Sequence, residues 1–288
     1  MIIDAHVHLW NPLHGREAGV DRRALSWGRA SQDGKIYYCA PPAFEDSQST
    51  YQRAIAYMDY VGVDRMVVLQ EFMDGKQDDY LALVRRECPQ RFSCMALFTK
   101  EYLDDPMGCF RVAIEEKKLQ GFLVITPGRF PEIALPKLMP LWQACAERGL
   151  PVVCKDGAPA DIRKLVKAVP DLKIVLSHFA GRFGPREDYL ARLEIIASSP
   201  NVTLDSGALT YRQRYPFSEA KELLHEAVEK VGAHKIAWGS DYPRPPLVAD
   251  NSYKQQLEFI TVECDFLTPA QREQILGGTA LRVYRWDE

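Results

Sequence analysis

Three short runs set the reading of this chain: Lys173-Ile-Val-Leu-Ser-His178, Asn201-Val-Thr-Leu-Asp205 and Lys235-Ile-Ala-Trp-Gly-Ser-Asp241. Each is a brief apolar or β-branched stretch that ends on a polar residue. Their starts fall roughly 25–35 residues apart, the length of one strand, one helix and two loops. Working outward, similar runs stand near Ile2–His6, Arg65–Gln70, Phe92–Phe98, Gly121–Thr126 and Pro151–Lys155. Helix signals fall between strands or beyond the last. Thr50–Tyr60 ends before Gly62, Leu138–Arg148 ends at Gly149, and Ser218–Val231 stops at Gly232. Pro269–Leu276 follows Thr268, with proline in the first turn. Eight strands alternating with helices predict an α/β fold, a (β/α)8 TIM barrel rather than an open doubly wound sheet.

The 288 residues suit one barrel, usually about 250 residues, and no linker divides residues 1–288. The exception to the regular spacing is the stretch 9–50, which has no clear periodicity. It is expected to be a long loop after the first strand, lying over the C-terminal mouth of the barrel as a lid. Hydrophobic residues at 47% exclude a mostly disordered chain. A net charge of -3 argues against a nucleic-acid partner and does not favour a membrane surface. The longest apolar runs are too short to span a bilayer, and the first residues, with Asp4, lack the cationic start of a signal peptide. Seven cysteines, none closer than six residues to another, fit neither a disulfide framework nor a zinc knuckle. They fit reduced thiols in the cytoplasm.

The chemistry is expected at strand ends, where barrels carry their active sites. His6 and His8 close the first strand two residues apart, so both imidazoles face the mouth and can hold a divalent metal. Asp4, deeper on the same face, is expected to brace an imidazole. His178 and Asp241 end later strands. The other histidines, His14, His225 and His234, fall in loops or helices and read as surface or packing residues.

This order of His-x-His, a later His, and Gly239-Ser-Asp-Tyr-Pro243 resembles the amidohydrolase superfamily, in particular the branch called amidohydrolase family 2. The closing stretch Leu267–Arg282 resembles that branch's C-terminal signature, with Thr279 where an Asn is usual. The resemblance runs from residue 2 to about 284. It implies lactonases, related hydrolases and nonoxidative decarboxylases of aromatic or muconate-type acids. It also implies that Asp241 binds the metal and serves as general base, and that His178 donates to the carbonyl oxygen.

One position departs from the branch. A His usually ends the fifth strand, whereas this chain has Lys155 and Asp156 there. Three outcomes are open. Asp156 supplies the missing metal ligand, beside His6, His8 and Asp241. Lys155 is carboxylated. Or the site works without metal, as in the related pyrone dicarboxylate lactonases, with Lys155 polarising the substrate. If metal binds, zinc is expected first and manganese next. Arg129, Arg182 and Arg244, in loops after strands, are candidates to clamp substrate carboxylates. Glu71 and Asp205 also face the mouth.

The expected function is hydrolysis of a lactone or amide in a small, carboxylate-bearing substrate by activated water. A metal-dependent decarboxylase is the alternative, and a catalytically inactive binding barrel is the second. A homodimer is expected as the partner state.

Overall fold

The computed structural model describes residues 1–15, 21–125, 132–243 and 251–287. Eight parallel segments form the barrel wall. The first six are Ile3–His8, Arg65–Leu69, Phe92–Cys94 continued after Met95 as Ala96–Leu97, Phe122–Ile125, Val152–Lys155 and Ile174–Leu176. Val202–Asp205 and Ile236–Ala237 complete the set. Each pairs in parallel with its sequence neighbours. The ring closes between the last segment and the first. Ala5 N–H donates to the Trp238 carbonyl at 2.7 Å, Asp241 N–H to His6 at 2.9 Å, and His8 N–H to Tyr242 at 2.6 Å.

All six residues of the first strand are buried, and so are all four of the fourth and seventh. Burial on both faces is what parallel strands under a helical coat require, and it explains the short continuous apolar runs. The helix ends follow the local sequence. Thr50 caps Tyr51–Val61 by accepting from Arg53 N–H, and Gly62 closes it at φ 82°. Thr268 and Gln271 cap each other's backbone around Pro269.

Two features differ from expectation. The stretch 9–50 is not a structureless loop. It carries a four-stranded antiparallel sheet of His14–Gly15, Arg22–Ala24, Arg29–Gln32 and Lys35–Tyr38. Its hairpin turns at Asp33-Gly34, both at positive φ, the dipeptide a tight two-residue turn prefers. The last strand is almost wholly solvated, so no apolar alternation betrays it. Several barrel strands also stop early. The sixth ends at Leu176 and the eighth at Ala237, and beyond them His178, Phe179, Ala180 and Asp241 take left-handed backbone angles between φ 53° and 65°. Left-handed backbone costs a non-glycine residue roughly 1–2 kcal/mol, and such strain gathers at functional sites.

Candidate active site

The site lies at the C-terminal end of the barrel, over a cavity of about 560 Å³. His8, Glu71, Asp74, Lys155, His178 and Asp241 reach it from the barrel, and Trp10, Arg22 and Cys39 from the stretch that carries the antiparallel sheet.

His6 lies beneath this cavity. Its Nδ1 is 3.0 Å from Asp205 Oδ1, an oxygen that also accepts the backbone N–H of His178 at 3.2 Å and of Gly207 at 2.9 Å. An oxygen in that place holds the proton on Nδ1 and leaves Nε2 as a lone pair. Gly207 and Gly239 make room for the ring. A Cβ on Gly207 would lie 2.4 Å from His6 Nδ1, and one on Gly239 2.6 Å from His6 Cβ. The His178 ring stacks on His6 at 4.9 Å between centroids. Burial, with the charge of Lys155 and the nearby His6 behind it, pushes His178 well below the ordinary imidazole value, so it is neutral.

Asp241 faces both rings. Its Oδ1 is 3.6 Å from His6 Nε2 and 3.2 Å from His8 Nε2. Burial opposes its charge. The hydrogen bond from His8, backed by the charge of the His8 ring, outweighs that and holds it well below the usual carboxylate range. His8 answers in kind. Burial lowers it, but the bond to Asp241 and the charges of Asp241, Asp74 and Glu71 take it up to about 9.

Among the described residues, one set of potential metal ligands converges. His6, His178 and Asp241 each offer an atom within 4.8 Å of the others. His6 Nε2 and His178 Nε2 are buried with no hydrogen-bond partner among the described residues. Two unpartnered buried imidazole nitrogens beside a carboxylate suit a divalent cation. The obstacle read from the sequence, an ammonium at the end of the fifth strand, is met by Glu71. Lys155 Nζ bonds to Glu71 Oε1, and this pairing outweighs burial and keeps Lys155 protonated.

The other expected residues are placed as follows. His8 stands beside the converging set, on Asp241. Asp156 lies next to Lys155 at φ 57° and is outside the set. Arg182 turns to the rim, with Nη1 3.4 Å from Glu219 Oε1 and its guanidinium carbon 4.3 Å from the Phe183 ring centroid. Arg129 and Arg244 lie outside the described residues. Asp4 braces no imidazole ring. It accepts from His6 backbone N–H at 3.2 Å, Ser240 N–H at 2.9 Å and Tyr253 Oη at 3.0 Å, because its carboxylate lies a full strand step below the rings. The brace is Asp205. Arg22, Asp74 and Arg212 line the cavity and were not anticipated. Asp74 and Arg212 sit in loops with no motif, and Arg22 belongs to the sheet that has no visible periodicity.

A closed parallel barrel with imidazoles and an aspartate meeting at its C-terminal end defines a class of barrel hydrolases and their relatives. The chain belongs to the amidohydrolase family, whose sequence model matches residues 3–286. No curated protein matches the chain. Among solved structures, one similar protein is described as a probable 2-pyrone-4,6-dicarboxylic acid hydrolase from Acinetobacter baumannii with citric acid bound. It shares 17% identity at TM-score 0.71, covering 98% of each chain. The 5-carboxyvanillate decarboxylase of Sphingomonas paucimobilis shares 17% at TM-score 0.66, covering 99% of each. A 2,6-dihydroxybenzoate decarboxylase from Rhizobium shares 13% at TM-score 0.68, covering 98% of each. At these identities the likeness is one of fold.

Proposed function

We propose that this chain is a hydrolase that opens a lactone, or cleaves an amide, in a small carboxylate-bearing substrate by attack of activated water. One observation carries the reading. The Asp241 carboxylate, the His178 imidazole and the Glu71-paired ammonium of Lys155 line one cavity, and Asp241 is held in its charged form by the His8 hydrogen bond. That is a proton acceptor beside one cationic donor, the pairing carbonyl hydrolysis needs.

Asp241 takes a proton from the attacking water as the new carbon–oxygen bond forms. Lys155 donates to the carbonyl oxygen as negative charge gathers there, and Glu71 holds the ammonium in place. Asp241 then returns its proton to the ring oxygen as the old carbon–oxygen bond breaks, leaving a carboxylic acid and a hydroxyl. His8, held by Asp241 and Asp74, fixes the direction of the carboxylate.

His6, His178 and Asp241 would hold a divalent cation, zinc first by ligand type. When bound, such an ion lowers the pKa of water and polarises the carbonyl. Arg22 and Arg212 in the cavity favour an acidic substrate. Among the described residues no helix is long and apolar enough to cross a membrane. All seven cysteines are free thiols, which fits a reducing cytoplasm. An inactive binding barrel would have no use for buried, unpartnered imidazoles, which are costly to retain.

The test is a product assay. Purified protein is incubated with 2-pyrone-4,6-dicarboxylate and a panel of carboxylated lactones and amides, and separately with 5-carboxyvanillate and 2,6-dihydroxybenzoate. Ring opening or amide cleavage without carbon dioxide supports hydrolysis. Carbon dioxide release from the aromatic acids, with no hydrolysis in the panel, replaces this reading with decarboxylation.

A further inference from the structure

Arg22 is out of keeping with its surroundings. It sits on a strand of the small antiparallel sheet, yet it is only 6% exposed and lines the cavity above the site. Its guanidinium carbon is 5.0 Å from the Tyr37 ring centroid on the same sheet, and the Cys39 thiol lies beside it. A guanidinium carries five N–H donors, and burying it is costly unless they are used.

They are poorly used. Nη1 reaches Asp74 Oδ1 at 3.4 Å, a long single contact. Nε is buried with no partner among the described residues. Asp74 is badly placed to supply the two parallel bonds that a carboxylate normally gives arginine, because its other oxygen faces His8 Nδ1 at 3.8 Å. The guanidinium therefore lacks the planar, two-oxygen acceptor that would use its donors fully, and its residue lines the cavity.

We propose that Arg22 is the receptor for a substrate carboxylate remote from the reacting carbonyl, and that Asp74 competes with that carboxylate for the guanidinium. The small sheet then selects the substrate, while the barrel strands supply the chemistry. Ligands with a second carboxylate bind better than those with one. This rests on the acidic-substrate part of the proposed function, and a binding measurement separates the two. Failure of hydrolysis shows in the product assay, whereas failure of the Arg22 assignment shows in affinity alone.

The experiment is calorimetric titration of the full chain with benzene-1,3-dicarboxylate and with benzoate, neither of which can be hydrolysed. Wild-type protein is expected to bind the dicarboxylate at least about tenfold more tightly, the scale of a charge-assisted hydrogen-bond pair. Arg22→Gln should bring the dicarboxylate down to the benzoate level, and Arg22→Lys should restore only part of the difference. Should Arg22→Gln fail to fold, Asp74→Asn still decides. With its competitor gone, the guanidinium should bind the dicarboxylate more tightly than wild type. Equal affinity for the two probes in wild type, no binding of the dicarboxylate at millimolar concentration, undiminished preference in folded Arg22→Gln, or weaker binding in Asp74→Asn would each overturn the assignment.

Discussion

Asp241 is held on several sides by imidazole, and its charge is the most strongly stabilised in the cavity. Removing that charge while keeping its shape isolates the base. Asp241→Asn should lower turnover by about 10²–10⁴, the usual yield of a positioned base, with little change in circular dichroism. Turnover within a few-fold of wild type would place the base elsewhere. His8 gives a pH signature. In the fold it titrates at about 9, against an ordinary 6.5 in the unfolded chain. Its contribution to stability is therefore fully present below about pH 6.5 and is lost as pH rises through about 9. The melting temperature of chelator-stripped protein should fall between about pH 7 and 9.5, and His8→Gln should flatten that fall. An equal fall in both proteins would assign the dependence to other groups. These residues were largely legible. His6 and His8 lie on the first strand, and His178 and Asp241 follow the sixth and eighth strands two and four residues past their ends, all toward one mouth. The partners of Lys155 and His6 were not legible as pairs, because Glu71 and Asp205 are brought to them by barrel closure from 84 and 199 residues away.

Elements decide how closely the site is packed. The ends of the seventh and eighth strands press on His6 through Gly207 and Gly239. A methyl group on Gly207 meets both His6 Nδ1 and Asp205 Oδ1, at 2.4 Å and 2.9 Å. Gly207→Ala should cost about 1–3 kcal/mol of stability, seen as a lower midpoint in urea, and should cut turnover by breaking the His6–Asp205 bond. An unchanged midpoint would mean that the strand ends yield easily. Helix ends could be read from single residues, as at Thr50, Gly62 and Thr268. The antiparallel sheet could not, since its stabilising contacts are not written as apolar alternation. Even so, Asp33-Gly34 was a hairpin signal in plain view. The left-handed turn through His178, Phe179 and Ala180 was hidden for a different reason. None of the three is a glycine, and the conformation is imposed by contacts such as the His178 N–H to Asp205 bond.

At the scale of the molecule, barrel closure brings together groups that the chain keeps far apart. The repeat of strand and helix was enough to predict the barrel. It was not enough to show whether Lys155 displaces a metal or is neutralised beside one, because that depends on Glu71 arriving from the second barrel strand's end. The geometry favours neutralisation: two buried imidazole nitrogens without partners among the described residues, a carboxylate beside them, and a lysine already paired. The decisive measurement is elemental mass spectrometry of protein purified without added metal or chelator. About one equivalent of zinc or manganese per chain is expected, falling to background in His178→Ala. Native protein that carries no metal, and takes none up on reconstitution with zinc or manganese, would contradict a cation site at His6, His178 and Asp241.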